Sequence, residues 1–182
     1  MTHNPEKNKQ MDDIFNLLLT FRNLCEANSI EYWIDGGSLL GAIREGNIIE
    51  WDDDGDVCVV DKNLMKHKET LKEWGFELKR TYFGYLMWKS GTEQILSWRE
   101  HIANTIADSR LKGKPINRIE ACKLASKTYK KGELLGKGRP WLDINVMSED
   151  KGLILYKDKS IVWATVHEKD IVYPLKKCKL RN

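Results

Sequence analysis

Between residues 7 and 28 the apolar positions recur by threes and fours, so that Ile14, Leu17, Leu18, Phe21, Leu24 and Cys25 share one side of a helical wheel. That period predicts an amphipathic helix packed by a single face and stopped by Asn28-Ser29. A shorter pattern follows. The apolar run Glu31-Tyr32-Trp33-Ile34 leads into Gly36-Gly37, which predicts a buried strand ending at a tight turn. A helix is then predicted from Ser38 through Leu39, Leu40, Ala42 and Ile43, and a central strand over Gly55-Asp56-Val57-Cys58-Val59-Val60.

Residues 61–74 read as helix, with Asp61 as its N-cap and Gly75 as its stop. Phe76 to Lys89 alternates in a strand-like way through Tyr82, Phe83, Tyr85 and Trp88, and Ser90-Gly91 predicts a hairpin turn before Gln94 to Trp98. Two more helices are predicted over 100–111 and 117–131, separated by Gly113-Lys114-Pro115, and a glycine-rich connector runs from Gly132 to Pro140. Trp141 to Val146 then predicts a strand with Asp143 and Asn145 on one face, and Leu153 to Tyr156 and Ile161 to Val166 complete the β content. With no internal repeat, the pattern predicts an α+β domain with a mixed sheet flanked by helices.

Composition narrows the class. The chain has 182 residues, 41% hydrophobic and 31% charged, and no apolar run of the roughly 20 residues a membrane helix needs. Residues 1–11 carry no apolar signal core, so a cytoplasmic location is expected. Cys25, Cys58, Cys122 and Cys178 are too scattered for a structural zinc site or a disulfide scaffold. The net charge of +3 hides a division: residues 1–60 hold 4 Lys+Arg and 12 Asp+Glu, the remainder 26 and 15. Residues 112–139 alone hold 9 Lys+Arg against 2 acids, which reads either as a solvated face or as a cationic segment meeting phosphates. No nucleic-acid partner is expected, because no recognised binding motif accompanies the charge.

The chemistry concentrates in residues 32–60. In a strand beginning near Trp51, Asp52, Asp54 and Asp56 would line one side, and Asp143 would add a carboxylate from a neighbouring strand. Such a cluster is tolerated in water or around a cation, and hard oxygen ligands suit Mg²⁺ or Mn²⁺. A run of three aspartates alone is most often a solvated turn, and Gly36-Gly37 alone is as readily a plain turn. Their combination, with a helix N-terminus able to receive phosphate, favours a site. His3, His67, His101 and His167 sit in unrelated contexts and are expected to be structural or surface residues.

Gly36-Gly37-Ser38-Leu39-Leu40-Gly41-Ala42-Ile43-Arg44, followed by Ile48-Ile49-x-Trp51-Asp52-Asp53-Asp54-x-Asp56, closely resembles the signature of the LicD/fukutin-related family of the polymerase-beta-like nucleotidyltransferase superfamily. Asp170-Ile171-Val172-Tyr173-Pro174-Leu175 resembles a later family segment. The resemblance implies a nucleotidyltransferase-like fold. Asp54, Asp56 and Asp143 would be the catalytic carboxylates and, with Asp52, the ligands of Mg²⁺ or Mn²⁺. Gly36, Gly37, Ser38 and Arg44 would bind phosphate. It further implies transfer of a phosphorylated alcohol such as phosphocholine or ribitol phosphate from a CDP-linked donor to a glycan or other hydroxyl. Transfer of a nucleoside monophosphate from an NTP, and a degenerate nucleotide-binding module, are the alternatives. Two positions depart from the family: Glu50 replaces the proline that usually precedes the Trp-Asp-Asp-Asp run, and the chain ends at Asn182, a few residues past the Tyr-Pro-Leu segment. The expectation is therefore a single domain over 1–182 with the usual C-terminal region shortened.

Overall fold

The computed structural model describes residues 5–60, 63–81, 84–92, 102, 105–106, 109–110, 112–128, 140–150, 153–156, 167–168, 175–177 and 180. The first helix, α1 (Pro5–Ala27), presents the expected stripe: Ile14, Leu17, Phe21, Leu24 and Cys25 are almost completely removed from solvent. Burying each such aliphatic or aromatic side chain stabilises the fold by roughly 1.5–3 kcal/mol. The helix closes at the predicted breaker. Ser29 adopts a left-handed φ of 53°, the Ile30 N–H donates to the Cys25 carbonyl at 2.9 Å, and the Asn28 side-chain amide donates to the Leu24 carbonyl at 2.9 Å.

The strands β1 (Tyr32–Ile34), β2 (Asp54–Val59), β3 (Phe76–Arg80), β4 (Gly84–Lys89) and β5 (Trp141–Asp150) form a mixed sheet in the order β1-β2-β5-β4-β3. Among the described residues only the β2–β5 pair is parallel, with Asp54 opposite Trp141, Asp56 opposite Asp143 and Cys58 opposite Asn145. The far half of β5 pairs with β6 (Leu153–Tyr156), which pairs in turn with β7 (His167–Glu168). Because side chains alternate across a strand, Val57, Val59, Leu142, Ile144 and Val146 meet α1 in the core. Their neighbours Asp54, Asp56, Asp143 and Asn145 take the opposite, half-buried side. Gly55 lets α1 sit close: a Cβ there would lie 2.9 Å from Leu142 Cδ1 and 3.4 Å from Ile14 Cγ2.

Several expectations are corrected. The stretch Phe76 to Lys89 is not one strand but the β3–β4 hairpin, turned where Thr81 N–H donates to the Gly84 carbonyl at 3.0 Å. Its aromatic alternation runs on through the turn and so masks it. The region 61–74 begins as a 3₁₀ turn (Leu64–His67) before α3 (Lys68–Glu73), and Asp61 lies outside the described residues. Helix α2 (Gly36–Arg44) starts two residues earlier than predicted and takes both glycines into its first turn, with Asp35 at the N-cap position. Helix α4 (Arg118–Thr128) opens with a reciprocal cap, Asn117 Oδ1 accepting from Glu120 N–H at 3.0 Å and Asn117 N–H donating to Glu120 Oε2 at 3.1 Å. Ile102, Thr105, Ile106, Ser109 and Arg110 are helical as expected. The strands expected over 94–98 and 161–166, residues 129–139 and the segment Asp170 to Pro174 lie outside the described residues.

Candidate active site

The site is built where β1 ends, α2 begins and β2 starts. Beyond Ile34 the chain leaves the sheet, yet the edge of β2 stays satisfied: Asp35 N–H donates to the Asp56 carbonyl at 3.1 Å and Asp56 N–H donates to Ser38 Oγ at 2.9 Å. Ser38 is 2% exposed, so its hydroxyl is committed to holding β2 against α2. Gly37 N–H donates to Asp56 Oδ2 at 3.0 Å, a charge-assisted bond at the positive end of a helix. Gly36 takes a left-handed φ of +49°, and a Cβ there would lie 2.7 Å from Asp56 Oδ2. One on Gly37 would lie 2.3 Å from Asp52 Oδ2. The glycines are thus required by two carboxylates pressed against the helix N-terminus.

Asp54 and Asp56 sit two residues apart on one side of β2, and the parallel register sets Asp143 of β5 directly beside Asp56. Asp52 arrives by another route. Since β2 begins at Asp54, Asp52 belongs to the preceding turn, where its N–H donates to the Ile49 carbonyl at 3.1 Å, and strand alternation does not align it. One carboxylate oxygen from each of Asp52, Asp53 and Asp54 lies within 4.8 Å of the others. Asp53 thus joins the group from within the same unbroken aspartate run.

This crowding shows in the proton affinities. Burial, followed by the charges of Asp143, Asp56 and Asp52, pushes the Asp54 carboxyl up to about 8. Asp56 rises only to about 6: burial and the charges of Asp52 and Asp35 raise it, while the N–H groups of Gly37 and Ser38 oppose them. These half-buried oxygens, mutually repelling and hard, are chemically suited to a divalent cation.

Two residues at the site were not anticipated. Asp35 accepts from the buried Cys58 thiol at 3.3 Å, and burial together with that carboxylate pushes the thiol up. Its position just before Gly-Gly, a natural N-cap, was the available signal. Gln10 of α1 donates from Nε2 to the Asp52 carbonyl at 2.7 Å, a contact spanning 42 residues that nothing local in the sequence reveals. Arg44 lies at the far end of α2, roughly 12 Å along the helix from Gly36. There it pairs with Glu45, and its guanidinium carbon stands 5.5 Å from the centroid of the Trp51 ring.

A helix N-terminus is thus bonded to a strand carrying two aspartates, with a further aspartate on the adjacent parallel strand. Residues 29–133 match the family model described as LicD/FKTN/FKRP, nucleotidyltransferase domain, and the chain belongs to that family. It is 59% identical over 34 residues to the ribitol 5-phosphate transferase FKRP of Homo sapiens, covering 19% of this chain and 7% of that protein. It is 52% identical over 42 residues to the lipopolysaccharide cholinephosphotransferase LicD of Haemophilus influenzae, covering 23% and 16%. An uncharacterized protein of Rickettsia typhi is 32% identical over 74 residues, covering 39% of this chain and 24% of its own length. The matches therefore span at most about a quarter of these relatives. No helix among the described residues is long and apolar enough to cross a membrane.

Proposed function

We propose that this chain carries the catalytic core of a divalent-metal-dependent transferase. It moves a phosphorylated alcohol, phosphocholine or ribitol phosphate being the models, from a CDP-linked donor to a hydroxyl of a glycan or other acceptor. The observation that carries the reading is the parallel register of β2 and β5, which sets Asp143 beside Asp56 on the side that Asp54 shares, against the N-terminus of α2. The names of the two characterised relatives, both transferases of phosphorus-containing groups, support the reaction class.

In this reading Asp52, Asp54, Asp56 and Asp143 hold Mg²⁺ or Mn²⁺, which when bound neutralises donor phosphate charge and polarises the phosphoryl group. The chain's own groups then position. At the N-terminus of α2 the close-packed Gly36, the Gly37 N–H and the buried Ser38 hydroxyl hold Asp56 in place, so they act on the donor through the carboxylates they position. The acceptor oxygen forms a bond to the donor's distal phosphorus as the bond to the CMP oxygen breaks, and the acceptor's proton passes to a carboxylate oxygen of the cluster. No protein nucleophile is needed. Arg44, occupied by Glu45 and Trp51, serves the site from its margin.

The test is product analysis with CDP-choline, Mn²⁺ and a glycan acceptor. CMP release that falls at least about 100-fold in Asp54→Ala and in Asp56→Ala is expected, the scale on which lost electrostatic stabilisation acts. A rate left intact in both variants overturns the metal-site reading. The family model's own description favours one second reading, nucleoside monophosphate transfer, and pyrophosphate release from CTP in place of CMP release from CDP-choline would establish it.

A further inference from the structure

Trp51 is 72% exposed, although a buried indole would contribute strongly to a core. Its place in the chain is informative, because it immediately precedes Asp52, with the two Cα atoms about 3.8 Å apart across a trans peptide. The indole therefore branches from the residue next to one of the cluster's carboxylates. The guanidinium of Arg44 lies over the ring at 5.5 Å from the centroid and is itself oriented by Glu45, which accepts from Arg44 Nε at 3.1 Å and from a terminal nitrogen. Leu40, half exposed, stands one helical turn before Arg44 on the same side of α2 and extends the surface with an apolar edge.

We propose that Trp51, backed by Arg44 and edged by Leu40, is the stacking platform for the base of the nucleotide donor. This rests on the transferase reading above and deepens it by assigning the donor's base a site. An exposed indole with a guanidinium over its ring offers a delocalised surface, and a planar π-bearing base is the ligand group that matches it. Stacking of this kind tolerates any base, so the platform supplies affinity while the carboxylates supply position.

Calorimetric titration of the full 182-residue chain with CDP and with pyrophosphate, both in the presence of Mn²⁺, separates base from phosphate. Trp51→Ala is expected to weaken CDP binding about tenfold or more while leaving pyrophosphate within about twofold, and Trp51→Phe is expected to retain most of the CDP affinity. Since Trp51 is exposed, both variants should keep the wild-type melting temperature, which excludes misfolding as the cause. CDP affinity unchanged in Trp51→Ala, or equal losses for CDP and pyrophosphate, overturns the platform alone. A wild-type chain that binds neither ligand overturns the platform and the transferase reading together.

Discussion

The backbone N–H of Gly37 donates to Oδ2 of Asp56 at 3.0 Å, so the first turn of α2 is bonded directly to a carboxylate of β2. This bond explains why two aspartates on one strand differ. Asp56 faces the N-terminal end of a helix, whose unpaired N–H groups stabilise its anion, whereas Asp54 faces other carboxylates. One strand therefore presents one acid near 6 and another near 8.

Gly37→Ala should spare the fold and damage the site. The new Cβ meets the end of the Asp52 side chain at 2.3 Å, and a carboxylate can swing away where backbone cannot. The melting temperature is expected to fall by no more than a few degrees, because a shift of about 1 kcal/mol moves it by about 2–4 °C in a chain of this size. Mn²⁺ affinity, measured by calorimetry, is expected to fall about tenfold or more as Asp52 leaves the cluster, equivalent to about 1.4 kcal/mol.

The raised carboxyls give a pH dependence with a definite sign. From an ordinary value of 3.8, Asp54 rises to about 8 and Asp56 to about 6 in the metal-free fold. Above the ordinary value the unfolded chain has released these protons while the folded chain still holds them, so this contribution to stability is fully present below about 4 and is lost as pH rises through about 6 and about 8. Asp54→Asn removes the charge. At about pH 8.5 with EDTA the variant is expected to melt several degrees above wild type, and near pH 4 the two should coincide. Excess Mn²⁺ should raise wild type and not the variant, because a ligand stabilises only the state it binds. Thermal melts across pH, with and without Mn²⁺, check all three.

What could be read from the sequence follows the range of each interaction. The α1 stripe and the apolar side of β5 are local periodicities and fold as read, whereas the strand before Gly36-Gly37 forms but is half-buried and leads into a helix instead of a tight turn. Asp143 was legible as a polar residue in an apolar strand, whereas its place opposite Asp56 depends on a parallel pairing across more than eighty residues. Asp52 was assigned by alternation, yet it enters from a turn, since the strand begins only at Asp54. Glu50, which stands where the family usually has proline, adds a carboxylate just ahead of the aspartate run. Its carboxylate is met by Lys7 Nζ at 3.1 Å, a partner 43 residues away.

Gly84→Ala should unravel the site from behind. A Cβ at Gly84 would lie 2.1 Å from the Ile144 carbonyl oxygen, and backbone on a central strand has no room to yield. The β4–β5 pairing places Leu86 opposite Asp143, so forcing these strands apart displaces the aspartate with them. A loss of at least about 2 kcal/mol is expected in urea unfolding, in the range of overpacked core positions. The contrast with Gly37→Ala is informative: backbone is the obstacle at Gly84, whereas a side-chain end is the obstacle at Gly37.

The two contacts from α1 to the 50–52 turn should separate stability from function. Lys7 and Glu50 are about half exposed or more, at 48% and 62%, so their ion pair is screened and Lys7→Ala should change stability by less than about 0.5 kcal/mol. Gln10 is partly buried and donates to the Asp52 carbonyl at 2.7 Å, so Gln10→Ala should cost about 0.5–1.5 kcal/mol. Its larger effect is expected on metal binding, because the bond fixes the backbone from which the Asp52 carboxylate projects. Mn²⁺ titration of both variants decides the matter. A severalfold loss in Gln10→Ala with none in Lys7→Ala identifies Gln10 as a positioning residue, and equal affinities would show that the turn holds its shape without α1.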